Sequence, residues 1–356
     1  MHPHPKCKDH RDMKDKVVIV TGGTAGLGTE CVYDLYQKGA IVIFTGRNSK
    51  STKEKLIPEL EYRMAQGIEN KPEFLKERLK SLKNGTWDSE NQNFSSEALY
   101  FRKLDQSSLG ACKAFCDWFK ASFTSLDTLH NNAGLALETY KETQDGFEFM
   151  MGINHYSHYL ITHELLDLIK STPRSRVVNT ASIVSLKMGG MDPTIDLDDL
   201  EWERSHQKFD GMHRYGTSKL ANVLFTQALA TFFEDNSINA KAVCLHPGAI
   251  DSSLGRNAKG CSTKALICLM RPFMGTNKDG CQTNLACIYR DYDRLENGKY
   301  YDRLVVAKRN ELADDEGYWK RFWDLSRAEI KEKAGFDLKG FAKFSYSSQQ
   351  NEPLLA

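Results

Sequence analysis

The sequence has no Cys-x-x-Cys pair, although it contains nine cysteines among its 356 residues. An odd number of scattered cysteines fits neither a disulfide framework nor a zinc ribbon. We therefore expect free thiols and a reducing intracellular compartment, with the cytoplasm favoured and association with an organelle left open. His2, His4 and His10 lie in a polar stretch without a preformed metal geometry, so no metal site is predicted.

Long apolar runs are also absent. No stretch approaches the roughly 20 apolar residues that a membrane-spanning helix needs. The N-terminus mixes His, Pro, Lys and Asp, so we expect a flexible arm over residues 1–13 rather than a secretory signal or an anchor. The longest apolar candidate, residues 265–270 followed by Phe273 and Met274, can at most touch a membrane surface.

Charge of one sign is lacking too, since 48 basic residues are balanced by 47 acidic ones for a net charge of +1. Such a chain has no overall field for a polyanion, which excludes nucleic acid as its main partner. With 40% apolar residues at this length, the chain can bury the core of one large domain. These features are typical of a globular protein that acts on a small molecule.

Short apolar runs alternate with stretches of helical periodicity along the chain. The predicted strands lie at 17–20, 41–44, 99–101, 126–129, 177–178 and 242–245. The predicted helices lie near 26–38, 107–123, 143–171, 213–235 and 278–290. This alternation predicts an α/β fold, a doubly wound parallel sheet with helices on both faces, in a single domain over residues 14–336.

Two segments exceed what such a fold needs. Residues 51–97 separate the second and third predicted strands and carry two helical patterns, the second beginning at Pro72 and ending at residues 84–85. Lysines on the outer face favour a solvated helical hairpin, with a docking surface as the alternative. The polar tail at 337–356 is predicted to be disordered or to become ordered on a partner.

A glycine-rich turn directly follows the first predicted strand. Gly22, Gly26 and Gly28 in TGGTAGLG let the backbone bend sharply and approach a pyrophosphate at a helix N-terminus. The second strand ends at Gly46 and Arg47, which offers a cation for the 2′-phosphate of NADP instead of a carboxylate for the ribose of NAD. NADP(H) is thus favoured over NAD(H) as the cofactor.

Tyr215 and Lys219 lie one turn apart in a predicted helix, so their side chains share one face. A tyrosine hydroxyl, with a pKa near 10, is a poor acid or base at neutral pH unless a neighbouring cation stabilises the phenolate. Lys219 is able to supply that charge. Alone the pair is a weak signal, because tyrosine and lysine at this spacing are common on solvated helices.

Further motifs make the pattern specific. In chain order they are TGGTAGLG at 21–28, NNAG at 131–134, Asn154 in GINHYSHYLIT, Ser182 in VVNTAS, YGTSK at 215–219 and HPG at 246–248. This order resembles the short-chain dehydrogenase/reductase superfamily over about residues 14–336. The segments SKLANVLFTQALA, GCQTNLACI and GKYYDRLVVAKRNELADDEGYWKRFWDLS resemble its retinol-dehydrogenase-like branch.

The resemblance implies roles for individual residues. Tyr215 would donate or accept a proton, Ser182 would hold the substrate oxygen, and Lys219 would bind the nicotinamide ribose and lower the pKa of Tyr215. Asn154 would hold a water in the proton relay, and Asp105 would contact adenine. The implied cofactor-binding residues are Thr21, Gly22, Thr24, Gly26, Leu27, Gly28, Arg47, Asn48, Asp105, Asn132, Ala133, Gly134, Tyr215, Lys219, Pro247, Gly248, Ile250 and Ser252.

Two segments near the predicted site bear on the substrate. An acidic insertion at 192–210, longer than the short form of the family has, either walls the substrate entrance or is a surface loop. Residues 249–275 are expected to form an apolar lid, which suits a lipophilic aldehyde, ketone or alcohol. The same apolar segment would equally suit packing against another subunit, a second copy of the chain included.

Two functions remain as hypotheses. The first is an NADP(H)-dependent oxidoreductase that interconverts an alcohol and a carbonyl on a lipophilic substrate, such as a retinoid or a steroid. It accounts for the set of Asn154, Ser182, Tyr215 and Lys219. The second is a dinucleotide-binding accessory subunit of a larger assembly, docking through 51–97 and 337–356, since fold alone does not establish function.

Overall fold

The computed structural model describes residues 5–187, 192–201, 209–248, 250, 275–342 and 344. The strands within them are β1 (Val17–Val20), β2 (Ile41–Gly46), β3 (Thr86–Asp88), β4 (Asn93–Ser95), β5 (Leu99–Lys103), β6 (Thr128–Asn131), β7 (Ser175–Thr180), β8 (Ala240–His246), β9 (Tyr300–Asp302) and β10 (Val305–Val306). They form one sheet in the order β10-β9-β8-β7-β6-β1-β2-β5-β4-β3. The seven central strands of this order, from β9 to β5 and including β1 and β2, are parallel. At the edges β10 pairs antiparallel with β9, β4 with β5, and β3 with β4.

Helices cover both faces of the sheet. They are α1 (Gly26–Gln37), α2 (Ile57–Ala65), α3 (Glu73–Lys83), α4 (Leu109–Ser122), α5 (Ser157–Glu164), α6 (Leu166–Ser171), α7 (Gly211–Asp235), α8 (Asn277–Tyr289) and α9 (Glu316–Ala334). Helices α1, α2, α3 and α8 pack on one face, and α4, α5, α6, α7 and α9 on the other. The predicted doubly wound parallel sheet is thereby confirmed.

The N-terminal cap of α7 sets where this helix begins and so places the YGTSK motif at 215–219 near its start. The carboxylate of Asp210 accepts hydrogen bonds from the backbone N–H groups of Met212 and His213, which satisfies two of the free donors at the helix N-terminus. The helix therefore begins at Gly211, and both Tyr215 and Lys219 fall within its first turns. Apart from such caps, the fold follows the apolar pattern: every residue of β1 is buried.

The insertion at 51–97 contains the two predicted helices and, in addition, two strands. Helix α3 is preceded by Pro72 and followed by Asn84, as its start and stop signals predict. Strands β3 and β4 form a hairpin that extends the sheet beyond β5. Trp87 stacks on Phe101 at 6.0 Å between ring centroids, so the insertion is joined to the main sheet by packing as well as by hydrogen bonds.

The N-terminal arm differs from the prediction of a flexible 1–13 segment. Met13 is 1% exposed, and the backbone N–H of Cys7 donates to Gln282 on α8. Arg11 pairs with Asp127 at 3.3 Å. The described part of the arm therefore lies against the domain, because it carries one apolar anchor and a paired charge.

The C-terminal boundary at 336 is also wrong. Leu338 and Phe341 are buried in the core, and Phe344 is 9% exposed. Phe341 packs on Trp323 of α9 with 4.4 Å between ring centroids. The first part of the predicted tail thus belongs to the core. The three apolar side chains that hold it are spaced among polar residues, so the composition of the segment does not reveal them.

The predicted lid at 249–275 lies outside the described residues apart from Ile250 and Gly275, which pair in an isolated parallel bridge. Ser252 lies outside them as well, and so do residues 202–208 of the acidic insertion. Among the residues that the structure describes, no helix is both long and apolar enough to cross a membrane.

Candidate active site

A cavity of about 410 Å³ opens at the carboxyl ends of β1 and β6. These strands are neighbours in the sheet although distant in sequence, and this reversal of strand order is where open α/β sheets bind ligands. The lining residues are Gly22, Thr24, Ala25, Gly26, Leu27, Gly28, Gly46, Arg47, Leu104, Gln106, Asn132, Ala133, Gly134, Leu135, Ala136 and Ile153. Nine of the predicted cofactor-binding residues are in this set.

The glycine turn brings the backbone close to the far wall of the cavity. Gly22 has a φ of 64°, and a Cβ there would lie 2.9 Å from the Cα of Ala133. A Cβ at Gly28 would collide with the carbonyl oxygen of Gly22. The N-cap of α1, Ala25, supplies no side-chain cap, and the first turn of this helix contains no acidic residue. The N–H groups of that turn are therefore suited to an anion such as a pyrophosphate.

The end of β2 forms the second side of the cavity. Arg47 is exposed there, and none of the ion pairs among the described residues involves it. A Cβ at Gly46 would collide with the side chain of Thr24. A carboxylate at the strand end is thus excluded by the space that Thr24 occupies, which leaves Arg47 as the charged group beside the cavity.

Tyr215 and Lys219 project from α7 toward the end of β7. Burial raises the pKa of Tyr215 to about 12, and the neighbouring Ser182 hydroxyl lowers it. Burial lowers the pKa of Lys219 to about 8, and its Nζ donates to the carbonyl of Thr180 at 3.0 Å. The Nζ lies 5.8 Å from the centroid of the Tyr215 ring. The Ser182 hydroxyl therefore opposes the rise that burial causes in the pKa of Tyr215. That Lys219 lowers this pKa, as the resemblance implies, stays a prediction.

Asn154 lies in a π-helical turn, Gly152–Tyr156, that interrupts the helix predicted for 143–171. Its amide nitrogen donates to the carbonyl of Leu135 at 3.0 Å and to the hydroxyl of Ser218 at 2.9 Å, and its oxygen accepts from the N–H of Leu135. A Cβ at Gly134 would lie 2.8 Å from Nζ of Lys219 and 3.3 Å from the Asn154 oxygen. The four predicted catalytic residues therefore lie together beside the cavity.

Several predicted cofactor-binding residues do not line the cavity. Thr21 is buried behind it, Asn48 is exposed and caps the helical turn Ser49–Ser51, and the Asp105 carboxylate accepts from Ser107. Pro247 and Gly248 follow β8. The side chains of Ile250 and Leu27 both lie against Gly280, where a Cβ would collide with them. Each is close to the cavity in the fold, but the contacts of Thr21, Asn48 and Asp105 are made with the protein itself.

Comparison with known proteins identifies the family of the chain. The family model described as short chain dehydrogenase matches residues 75–192. Human retinol dehydrogenase 14 is 32% identical over 320 residues, covering 89% of this chain and 87% of that protein. Human retinol dehydrogenase 12 is 30% identical over 325 residues, covering 90% and 88%. The chain belongs to the short-chain dehydrogenase family. Within that family it is retinol-dehydrogenase-like.

Two solved structures share the fold of this short-chain dehydrogenase. One is an uncharacterized protein from Mycobacterium paratuberculosis, with a TM-score of 0.66, 23% identity, and coverage of 92% of this chain and 98% of that one. The other is a short chain dehydrogenase from Burkholderia cenocepacia in complex with NADP, with a TM-score of 0.56, 20% identity, and coverage of 82% and 96%. These two structures show the shared fold, and the family and the relatives place the protein among oxidoreductases that act on CH–OH groups.

The short-chain dehydrogenase also contains site residues that sequence reasoning missed. Gln106 lines the cavity next to Asp105, and Thr180 orients both Lys219 and Asn222 through its carbonyl. A signal for Gln106 was available, because it lies three residues after the end of β5, on the edge where the strand ends meet. No signal in the sequence could have revealed the role of Thr180, because it acts through its backbone carbonyl, which every residue type has.

A buried ion pair anchors the start of the helix that carries Tyr215. The Nε of Arg214 donates to Glu148 at 2.9 Å, and the side chains are 1% and 0% exposed. Glu148 caps the turn at Phe149–Met151, and its own N–H donates to the carboxylate of Glu201 at 2.5 Å. Arg214 thereby connects α7, the turn before Asn154 and the described part of the acidic insertion.

Proposed function

We propose that this short-chain dehydrogenase is an NADP(H)-dependent oxidoreductase that interconverts an alcohol and a carbonyl on a lipophilic substrate. The observation that carries the proposal is the grouping of Asn154, Ser182, Tyr215 and Lys219 beside the cleft that the glycine turn lines. When bound, the nicotinamide supplies or accepts the hydride. The chain must then hold the substrate oxygen and move one proton.

In this proposal Ser182 donates a hydrogen bond to the substrate oxygen, and Tyr215 gives its hydroxyl proton to that oxygen during carbonyl reduction. In the reverse direction Tyr215 accepts the proton from the alcohol. Lys219 binds the ribose next to the nicotinamide, and its cation favours the phenolate form of Tyr215. Asn154, fixed by Leu135 and Ser218, holds a water that returns the proton from solvent.

The preference for NADP(H) rests on the end of β2. Arg47 supplies an exposed cation at the cavity, and guanidinium groups suit phosphate because they bind it with paired hydrogen bonds. Thr24 fills the space in which a carboxylate at position 46 would stand. The structure from Burkholderia cenocepacia holds NADP, which agrees with this choice.

The preference for a lipophilic substrate rests on the relatives and on the surroundings of α7. The two human relatives are named as retinol dehydrogenases. Leu135 and Ala136 line the cavity, and Met212 is 49% exposed one turn before Tyr215. Apolar side chains in the wall of a cleft, such as those of Leu135 and Ala136, suit an apolar ligand better than a charged one.

The test is oxidation of NADPH with a panel of lipophilic aldehydes and ketones, retinal among them, in the wild type and in Tyr215→Phe. The variant removes one hydroxyl from a buried ring, so we expect unchanged NADPH affinity and turnover reduced by about 10²- to 10⁴-fold. The matched control is Tyr62→Phe, at a tyrosine that is 66% exposed. Wild-type turnover in Tyr215→Phe would overturn the proposed mechanism.

Cofactor choice is tested separately by Arg47→Asp. This change replaces the cation with a carboxylate that repels the 2′-phosphate, so the ratio of the NADPH and NADH dissociation constants should shift toward NADH by at least about tenfold. Titration of both cofactors by fluorescence gives this ratio without any substrate. An unchanged ratio, or a wild type that already prefers NADH, contradicts the NADP(H) assignment.

The accessory-subunit hypothesis has less support than the sequence alone suggested. Leu338 and Phe341, in one of its two proposed docking segments, are buried in the domain itself. The insertion at 51–97 adds two strands to the same sheet. An absence of turnover across the panel, together with a native mass well above that of the chain, would favour this second function.

A further inference from the structure

His158 lies where three parts of the site meet, on α5 just after the π-helical turn of Asn154. Its side chain is 1% exposed. Its Nδ1 lies 3.0 Å from the backbone carbonyl oxygen of Asn154. Its Nε2 lies 3.0 Å from the hydroxyl of Thr21 and 3.0 Å from the amide nitrogen of Gln106. One ring therefore contacts the start of the phosphate turn, the cavity wall and the turn of Asn154.

The partners determine which ring nitrogen carries the hydrogen. A carbonyl oxygen only accepts, so Nδ1 donates to Asn154, and Nε2 is left as an acceptor. The amide nitrogen of Gln106 only donates, which fits an acceptor at Nε2. The Thr21 oxygen accepts from two backbone N–H groups of the 131–134 segment at 2.9 Å each. For its own hydrogen, Nε2 of His158 at 3.0 Å is a nearer acceptor than the carbonyl oxygen of His130 at 3.4 Å.

We propose that His158 is a positioning residue that aligns the phosphate turn and the Asn154 turn on opposite sides of one imidazole ring. Through Nε2 it holds Thr21 and Gln106, and hence the wall of the cofactor cavity. Through Nδ1 it holds the turn from which Asn154 reaches Ser218 on α7. The inference rests on the proposed function, because the alignment serves the dinucleotide-dependent reaction.

The two functions of the ring can be separated by substitution. In asparagine, the amide nitrogen lies near the place of Nδ1, so His158→Asn keeps a donor for Asn154 and loses the acceptor for Thr21 and Gln106. In glutamine, the amide oxygen lies near the place of Nε2, so His158→Gln keeps that acceptor and loses the donor. A buried polar group left without its partner is costly, and the cost falls on a different side of the site in each variant.

The experiment measures two quantities in each variant: the dissociation constant of NADPH by fluorescence titration, and kcat at saturating NADPH with an accepted carbonyl. For His158→Asn we expect the dissociation constant to rise about tenfold, and by clearly more than kcat falls. For His158→Gln we expect the reverse, with kcat about tenfold lower and a smaller change in the dissociation constant. The matched controls are His10→Asn and His10→Gln, at an exposed histidine of the arm.

Equal changes of both quantities in the two variants, or no change in either, would overturn the proposal, since a residue that only supports the fold has no reason to separate them. If the His158 variants do not fold, Thr21→Val removes the hydroxyl that His158 contacts, together with its bonds to the 131–134 segment, and should weaken NADPH binding; Thr21→Ser, which keeps the hydroxyl, should bind NADPH as the wild type does. Wild-type protein that binds NADPH but shows no turnover contradicts the proposed function. The binding comparison still decides the role of His158 in that case.

Discussion

Replacement of Phe341 by alanine tests the finding that the segment after α9 belongs to the core. The ring is fully buried, with centroids 4.4 Å from Trp323, 5.2 Å from Tyr159 and 5.5 Å from Phe232. Next to it, the backbone carbonyl of Phe341 accepts from Arg327. The substitution removes the ring and leaves this backbone contact, so it isolates the contribution of aromatic packing.

The expected loss is large for a single side chain. Truncation of a buried phenylalanine costs about 3–5 kcal/mol, because the neighbours only partly fill the cavity. Total stabilities of natural domains are about 5–15 kcal/mol, so Phe341→Ala should consume a large part of the folding free energy. Deletion of residues 337–356 removes Leu338 and Phe344 as well, at about 1.5–3 kcal/mol for each buried side chain, and should leave little folded protein.

The measurement is urea unfolding followed by circular dichroism at 222 nm. The control is Phe74→Ala, which deletes the same ring at a position that is 45% exposed and should change the free energy of unfolding by less than about 0.5 kcal/mol. A second deletion, of residues 345–356 alone, removes none of the described contacts. If Phe341→Ala matched Phe74→Ala in stability, the assignment of this segment to the core would be refuted.

Three further predictions concern the site. Lys219→Met should weaken NADPH binding and lower turnover together, since Lys219 serves ribose and phenol; titration and single-turnover kinetics check this, and an effect on turnover alone would contradict it. Burial raises the pKa of Glu201 to about 7 from its ordinary 4.5, so folding stability falls as the pH rises through that window. Glu201→Gln should therefore have a free energy of unfolding higher than the wild type by at most about 3 kcal/mol at pH 8, seen as a higher unfolding temperature, with no gain near pH 4. Gly46→Asp should fail to improve NADH binding by itself and should succeed when combined with Thr24→Gly, as titration of both variants would show.

The ends of the central strands were the part of the fold around the cavity that the sequence predicted. Gly22, Asn132 and Ser182 each follow an apolar run, and the parallel sheet brings those ends to one edge. Such positions are readable because strand identity and its end depend on near neighbours in the chain. Strands β3 and β4 were missed because each has only three residues, mostly polar, with no strand pattern of its own. They are strands because β4 pairs with β5 and β3 pairs with β4.

Contacts between distant segments were beyond the reach of the sequence. Phe341 belongs to the core because Trp323 and Tyr159 surround it, although its own neighbours in the chain are polar. Thr21 was expected to touch the cofactor, and instead its hydroxyl joins His158 to the 131–134 segment behind the cavity. Neither environment can be derived from local composition.

The sequence by itself determined the six central strands β1, β2, β5, β6, β7 and β8 with the helices between them, the glycine turn, and the residue types that carry the proposed chemistry, because periodicity and turn preferences act over a few neighbouring residues. Only the tertiary structure decided which of those residues line the cavity, that Thr24 excludes a side chain at Gly46, and that the segment after α9 is core. These outcomes depend on space and hydrogen-bond partners that residues far apart in the chain supply to one another.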